Sequence, residues 1–279
     1  MSSTSDPASP AFAPQWLALR EKADADARAT ALLDPLRVHL SARGAGAGGR
    51  PIRVADLGCG SGSQGRWLAP RLSGAQSWTL YDLDPCLLDL AGARMPRTSA
   101  DGSTVNARMC RQDLGELTIG DLDGIDVVTG SALLDLLDRQ KMESLARAVV
   151  GADCAALFTL SVTGRVELFP TDPADPVITT AFNDHQRRRG LLGPDAVPVT
   201  VEVFQTLGWR VLTFPSPWRL CPEHSALTRE WLRGWVKAAA EQDPASVPSD
   251  YPERRLNQCE TGELGAHVEH TDLLALPAS

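Results

Sequence analysis

Short apolar runs alternate with amphipathic stretches along most of this 279-residue chain. From Pro51 onward, each apolar run is followed by a segment with helical spacing, which is typical of βαβ units and a parallel sheet. The sequence therefore predicts an α/β fold with a doubly wound, mostly parallel seven-stranded sheet. The seven predicted strands are Ile52–Asp56, Ser77–Asp82, Met109–Asp113, Ile125–Thr129, Ala155–Val162, Trp209–Phe214 and His267–Leu274.

Other segments predict additions to this sheet. Residues 1–13 are rich in Ser, Pro and Ala and are expected to be disordered. Residues 14–48 carry apolar positions at roughly helical spacing and predict an N-terminal helical cap that ends in a glycine linker. Residues 49–279 are expected to form one domain, with helical insertions at about 164–198 and 222–263, after the fifth and sixth strands.

The first insertion contains a helix with well-marked ends. Asp175 is predicted to cap it, Pro176 suits its first position, and Gly190 stands where a left-handed stop is expected. Within this helix, His185 falls on the same side as the apolar positions.

Charge and cysteine content narrow the function classes. The formal net charge of −8 argues against binding of nucleic acid, which requires clustered basic residues. The six cysteines form no C-x-x-C pair and lie near no clustered histidines, so neither a metal site nor a disulfide framework is predicted. The N-terminus lacks a signal-peptide pattern and no apolar run is long enough to span a membrane, so a cytoplasmic protein is expected.

The stretch VADLGCGSGSQG, residues 54–65, can be parsed in two ways. Gly60, Gly62 and Gly65 spell G-x-G-x-x-G, the phosphate-binding fingerprint of nicotinamide enzymes. Alternatively, Asp56 starts a D-x-G-x-G-x-G pattern, in which its carboxylate ends a strand and can reach a cationic group on a ligand. Both parsings place a glycine loop at a helix N-terminus, where backbone N–H groups approach a polar ligand.

The second parsing resembles the first motif of the class I, Rossmann-like S-adenosylmethionine-dependent methyltransferases. Three further segments follow in the order of that family: WTLYDLDPCLLDLA with Asp82, CRQDLGEL with Asp113, and DGIDVVTGSALLDLL with Ser131. The resemblance implies that residues 49–279 form a methyltransferase domain and that its cofactor is S-adenosylmethionine. The cofactor-binding residues that it implies are Asp56, Gly58, Gly60, Asp82, Leu83, Asp113, Leu114 and Ser131.

Two residues are candidates for catalysis, each with a structural alternative. Asp135 falls where many small-molecule members of the family carry a polar residue beside the substrate, but it also suits the first turn of a helix. His185 lies in an insertion that commonly covers the substrate in this family, although a histidine on an apolar face is more often a core residue.

The expected reaction transfers a methyl group to an oxygen, nitrogen or carbon nucleophile of a small molecule. Only three of the 27 basic residues are lysines, which indicates a GC-rich source and is compatible with secondary metabolism. No D-P-P-Y or N-P-P-Y sequence follows the fourth strand, which disfavours amino methylation of DNA bases. Two alternatives stay open: an NAD(P)-dependent oxidoreductase that uses Gly60, Gly62 and Gly65, and a non-catalytic relative that binds the cofactor. The sequence predicts no nucleic-acid or membrane partner and leaves the oligomeric state undetermined.

Overall fold

A computed structural model describes residues 13–278, so all but the last residue of the predicted disordered N-terminus lies outside the described residues. Nine helices and eight strands follow one another along this part of the chain. The strands are β1 (Ile52–Leu57), β2 (Gln76–Asp82), β3 (Val105–Arg111), β4 (Val127–Ser131), β5 (Ala155–Phe169), β6 (Trp209–Pro215), β7 (Trp218–Leu220) and β8 (Gly265–Pro277). The helices are α1 (Pro14–Ala27), α2 (Leu33–Ala42), α3 (Ser63–Leu68), α4 (Pro85–Arg94), α5 (Arg139–Gly151), α6 (Asp175–Gln186), α7 (Ala196–Thr206), α8 (Ser225–Gln242) and α9 (Tyr251–Glu260).

The strands form one mostly parallel sheet in the order β3-β2-β1-β4-β5-β8-β6. Strands β3, β2, β1, β4 and β5 are parallel, whereas β8 runs antiparallel to both β5 and β6. The predicted fold class is confirmed, but the sheet has eight strands rather than seven. The additional strand, β7, pairs antiparallel with β8 and is only three residues long, too short to give a recognisable alternation of apolar and polar positions.

Strand bounds differ most where burial is incomplete. The third strand begins at Val105, four residues before its predicted start at Met109. The start was misplaced because β3 lies at the sheet edge and alternates poorly between buried and exposed positions; Met109 is 50% exposed. Strand β5 continues to Phe169, into the predicted first insertion, where it pairs with β8 through two register shifts.

The chain order reverses between β1 and β4, which lie side by side at the centre of the sheet. In open α/β sheets the crevice at the carboxyl ends of such strands is the usual ligand site. Buried side chains fill both faces of the sheet, with α2, α3 and α4 on one face and α5 and α7 on the other. A third apolar cluster joins β7 to α6, α8 and α9 beside the sheet.

The ends of α6 correct one prediction. Pro176 lies in its first turn, as expected, but Asp175 does not cap the helix. The Asp175 carboxylate instead accepts two hydrogen bonds of 2.8 Å from Arg255 Nη2 and one of 2.6 Å from Tyr251 Oη on α9. A buried guanidinium requires a carboxylate partner, and this requirement outweighs the capping preference. Helix α6 ends at Gln186, four residues before the left-handed Gly190.

Candidate functional site

A cavity of about 680 Å³ lies at the carboxyl ends of β1 and β4, within the roughly 300–1,000 Å³ typical of small-molecule sites. The structure brings all eight predicted cofactor residues to its wall. These residues are Asp56, Gly58, Gly60, Asp82, Leu83, Asp113, Leu114 and Ser131. Helix α1 contributes Leu17, Arg20 and Asp24 to the same wall.

The loop after β1 turns into α3 through glycines with positive φ angles. Gly58, Gly60 and Gly62 have φ angles of +58°, +52° and +85°, a region that residues with a Cβ rarely adopt. The Gly60 N–H donates a 2.8 Å hydrogen bond to Asp82 Oδ2, and the backbone N–H of Asp84 donates one of 3.0 Å to Asp82 Oδ1. The carboxylate that ends β2 therefore holds the glycine loop in place while it lines the cavity.

Gly65, the last glycine of the nicotinamide fingerprint, lies inside α3 and is buried. A Cβ built at this position would lie 2.5 Å from Met95 Sδ, closer than any real contact. Close packing of α3 accounts for this glycine without a ligand.

Two buried ionisable groups beside the cavity have polar atoms without hydrogen-bond partners in the described range. Asp56 is fully buried, and neither carboxylate oxygen has a hydrogen-bond partner among residues 13–278. Burial raises the pKa of Asp56 to about 8, and the nearby Arg28 opposes this shift. Arg28 is 3% exposed, and its Nη1 likewise has no partner within the described range. Burial lowers the pKa of Arg28, and the charges of Asp24 and Asp272 oppose that shift.

The remaining nitrogens of Arg28 connect α1 to the centre of the sheet. Nη2 donates to the hydroxyls of Ser63 and Ser131, each at 3.1 Å, and Nε donates to Thr159 Oγ1 at 3.4 Å. Ser63 and Ser131 both line the cavity. Arg28 is thus fixed beside it, with one terminal nitrogen left over.

Helix α1 covers the cavity and is held there by polar contacts. Glu21 accepts hydrogen bonds of 2.5 and 2.8 Å from Arg66 of α3, and Asp24 Oδ1 accepts one of 3.0 Å from Trp218 Nε1. Arg20, Asp24 and Arg28 were not predicted as site residues. The four-residue spacing of Arg20 and Asp24 was a usable signal, because it aligns both charges on one helix face. Arg28 lies one residue beyond the end of α1 and left no such signal.

Asp135 lies close to the cavity but is not among its lining residues, although Leu133 and Leu136 are. It sits in a short 3₁₀ turn, Leu134–Leu136, rather than in the predicted α-helix, which begins only at Arg139. Its Oδ1 is buried without a partner in the described part of the chain. Burial raises the pKa of Asp135, and the charge of Arg20 opposes the shift.

His185 is not brought to the cavity. Its Nε2 lies 3.2 Å from Glu241 Oε2, because α6 packs against α8 rather than over the carboxyl ends of the strands. Asn183, on the same helix, donates a 2.9 Å hydrogen bond to the carbonyl of Gly164. The apolar side of this helix therefore contributes to packing.

One group of side chains has metal-ligand chemistry. The ligand atoms of Cys221, Glu223 and His224 lie within 4.8 Å of one another. All three come from a single turn, in which the backbone N–H of Cys221 donates to His224 Nδ1 at 3.3 Å. This contact caps the short helical turn Pro222–His224 and needs no ion.

Among residues 13–278, no helix combines the length and the apolar character required to cross a membrane.

Residues 54–152 match the sequence model of a family described as "Methyltransferase domain". The match covers about a third of the chain. The matched residues contain the glycine loop, Asp82, Asp113 and Ser131, so the match covers the segments that resemble the class I S-adenosylmethionine-dependent family. A comparison of the sequence with curated proteins finds no match.

Solved structures similar to this chain include a Geobacter sulfurreducens S-adenosylmethionine-dependent methyltransferase in complex with S-adenosylhomocysteine. It is 16% identical with a TM-score of 0.48, over 96% of this chain and 100% of that one. A magnesium protoporphyrin IX methyltransferase from Synechocystis is 14% identical with a TM-score of 0.45, over 89% and 82% of the two chains. The cyclopropane synthase MmaA2 from Mycobacterium tuberculosis is 12% identical with a TM-score of 0.44, over 88% and 83%. Likenesses this distant do not identify a substrate.

Proposed function

We propose that this methyltransferase binds S-adenosylmethionine in the cavity at the carboxyl ends of β1 and β4 and methylates a small molecule there. The observation that carries the proposal is that both oxygens of the buried Asp56 carboxyl and Nη1 of the buried Arg28 lack partners among residues 13–278. The methionine part of the cofactor carries an ammonium and a carboxylate, which are the partners that these two groups lack. Buried charges are normally paired, so a ligand of this kind satisfies both at once.

The rest of the cavity suits the rest of the cofactor. Asp82 ends β2 and would accept hydrogen bonds from the ribose hydroxyls in addition to those it receives from the backbone. Asp113 and Leu114 follow β3 and would bind the adenine amino group and a ring nitrogen. Leu83 and Leu87 supply apolar surface beside them.

When bound, the cofactor supplies an electrophilic methyl group on a sulfonium. The protein has to align the acceptor with that group and exclude water. Helix α1 excludes water by closing over the cavity through its ion pair with α3. For an oxygen or nitrogen acceptor, Asp135 would take the proton, because its raised pKa makes the carboxylate a better base. We do not assign His185 a role in this step.

Two features favour a small acceptor over a macromolecule. Helix α1 contributes to the wall of the cavity, and the chain has a formal charge of −8. We also infer a cytoplasmic location, which agrees with six cysteines that are all free thiols.

The cofactor is tested by calorimetric titration with S-adenosylhomocysteine and with NADH. We expect only S-adenosylhomocysteine to bind; binding of NADH alone would exclude the proposal and support the oxidoreductase alternative. Arg28→Gln should weaken S-adenosylhomocysteine binding at least about tenfold, because it removes a charge-assisted hydrogen bond. Arg37→Gln, on the exposed side of α2, is the matched control and should change the affinity less than about twofold.

The acceptor class is tested with S-adenosylmethionine labelled in its methyl group and a cell extract separated by size. A labelled compound other than S-adenosylmethionine should appear in the small-molecule fraction and only with active protein. Label in the protein fraction would refute a small acceptor. Binding of the cofactor without any labelled product would favour the non-catalytic alternative.

A further inference from the structure

Arg20 belongs to α1, and its surroundings fix the orientation of its guanidinium while they leave the terminal nitrogens without a partner among the described residues. Its Nε donates a 2.9 Å hydrogen bond to Asp24 Oδ2, and Asp24 is held in turn by Trp218 Nε1 at 3.0 Å. The guanidinium carbon lies 5.9 Å from the ring centroid of Trp16 and 5.0 Å from that of Trp218. Two aromatic rings and one carboxylate therefore restrict its orientation.

Within the described part of the chain, the terminal nitrogens of Arg20 have no hydrogen-bond acceptor. The side chain is only 13% exposed and lines the cavity, yet neither Nη1 nor Nη2 is hydrogen-bonded to any of residues 13–278. A guanidinium that served packing alone would bond its terminal N–H groups to nearby carbonyls or carboxylates, as Arg255 does with Asp175. In Arg20, four N–H donors remain available on the cavity side.

Arg20 and Arg28 lie in different surroundings. The guanidinium carbon of Arg20 lies 5.0 Å from the ring centroid of Trp218, and the Trp218 ring lies 5.2 Å from that of His270. His270 is 3% exposed, and its Nδ1 is unpartnered within the described residues. Arg28, just beyond the end of α1, is instead bonded to Ser63 and Ser131 beside the glycine loop.

We propose that Arg20 binds an anionic group, a carboxylate or phosphate, of the methyl acceptor. A planar guanidinium with two parallel N–H groups matches both oxyanions bidentately. Because the aromatic rings and Asp24 already hold the side chain, little conformational freedom is lost on binding. This inference rests on the proposed function, since it assigns the cofactor carboxylate to Arg28 and the acceptor to Arg20.

The test uses benzoate and phenyl phosphate as probes, with benzamide as the neutral isostere of benzoate. Each is titrated into full-length protein saturated with S-adenosylhomocysteine and followed by NMR. We expect both anions to bind and benzamide to bind at least about tenfold more weakly. Equal binding of benzoate and benzamide, or no binding of either anion, overturns the proposal.

Two variants assign the effect to the side chain. Arg20→Gln should lose at least about tenfold in affinity for both anions and keep its S-adenosylhomocysteine affinity within about twofold. Arg20→Lys, which keeps the positive charge but not the two parallel N–H groups of a guanidinium, should retain part of the anion binding. Unchanged anion binding in Arg20→Gln overturns the proposal.

The variants also separate this proposal from the proposed function. A loss of S-adenosylhomocysteine affinity in Arg20→Gln would mean that Arg20 holds the cofactor carboxylate, and it would overturn the acceptor assignment alone. Failure of the wild-type protein to bind S-adenosylhomocysteine would instead overturn the proposed function.

Discussion

Binding of S-adenosylhomocysteine should release a proton from Asp56. Burial raises the pKa of this carboxyl from 3.8 to about 8, so about nine-tenths of the unliganded protein carries the proton at pH 7. An ammonium beside the carboxylate favours the ionised form. Binding at pH 7 should therefore release about 0.9 proton, and the affinity should be about ninefold lower at pH 6 than at pH 7.

Calorimetry in two buffers of different ionisation enthalpy measures the number of protons released. Asp56→Asn cannot lose a proton, so its affinity for S-adenosylhomocysteine should be weaker but independent of pH between 6 and 7. Glu202→Gln, on the exposed face of α7, is the control and should behave like the wild type. Release of less than about 0.2 proton at pH 7 by the wild type, or equal release by Asp56→Asn, would refute the reasoning.

The same pKa fixes how the stability of the unliganded protein depends on pH. For a carboxyl with a raised pKa, the stabilisation by the bound proton is complete below its usual pKa of 3.8 and is lost as the pH rises through about 8. The free energy of unfolding should accordingly fall between pH 5 and 8 more steeply in the wild type than in Asp56→Asn.

Three further outcomes are expected. Gly62→Ala should lower the free energy of unfolding measured with urea by about 2–4 kcal/mol, because its φ is +85° and a Cβ would also lie 3.0 Å from its nearest contact. Gly208→Ala, with φ +81° and open space around it, should lower it by only about 1–2 kcal/mol. A cost for Gly62→Ala no larger than that for Gly208→Ala would contradict the steric argument. Asp175→Ala should lower the free energy of unfolding by about 3–5 kcal/mol, because it leaves the Arg255 guanidinium buried and uncompensated. A loss below about 1 kcal/mol would mean that this pair relaxes to solvent. His185→Ala should change kcat/KM less than about twofold once an acceptor is known, because the ring contacts α8 instead of the cavity; a hundredfold loss would restore the catalytic interpretation.

The central strands and their carboxyl ends were predictable because they are buried and regular. The apolar runs of β1 and β2 end at a glycine loop and at Asp82, and these local patterns indicated a ligand site before any contact was known. Edge strand β3 and the three-residue β7 were misplaced or missed, because neither is long and alternating enough to leave a pattern.

The partners of individual side chains were not predictable. Asp175 looked like a helix cap because its sequence neighbours are those of a cap, but Arg255, eighty positions away, determines where its carboxylate points. Similarly, Arg28 bonds to Thr159, which is 131 residues distant in the chain. Local patterns report periodicity and turns, whereas burial of a charge depends on which distant elements meet.

Helix α1 bears Arg20, and Arg28 follows directly after its last residue. Any movement that lifts α1 from the sheet would therefore expose both guanidinium groups together. The Glu21–Arg66 ion pair opposes such a movement, because it joins α1 to α3.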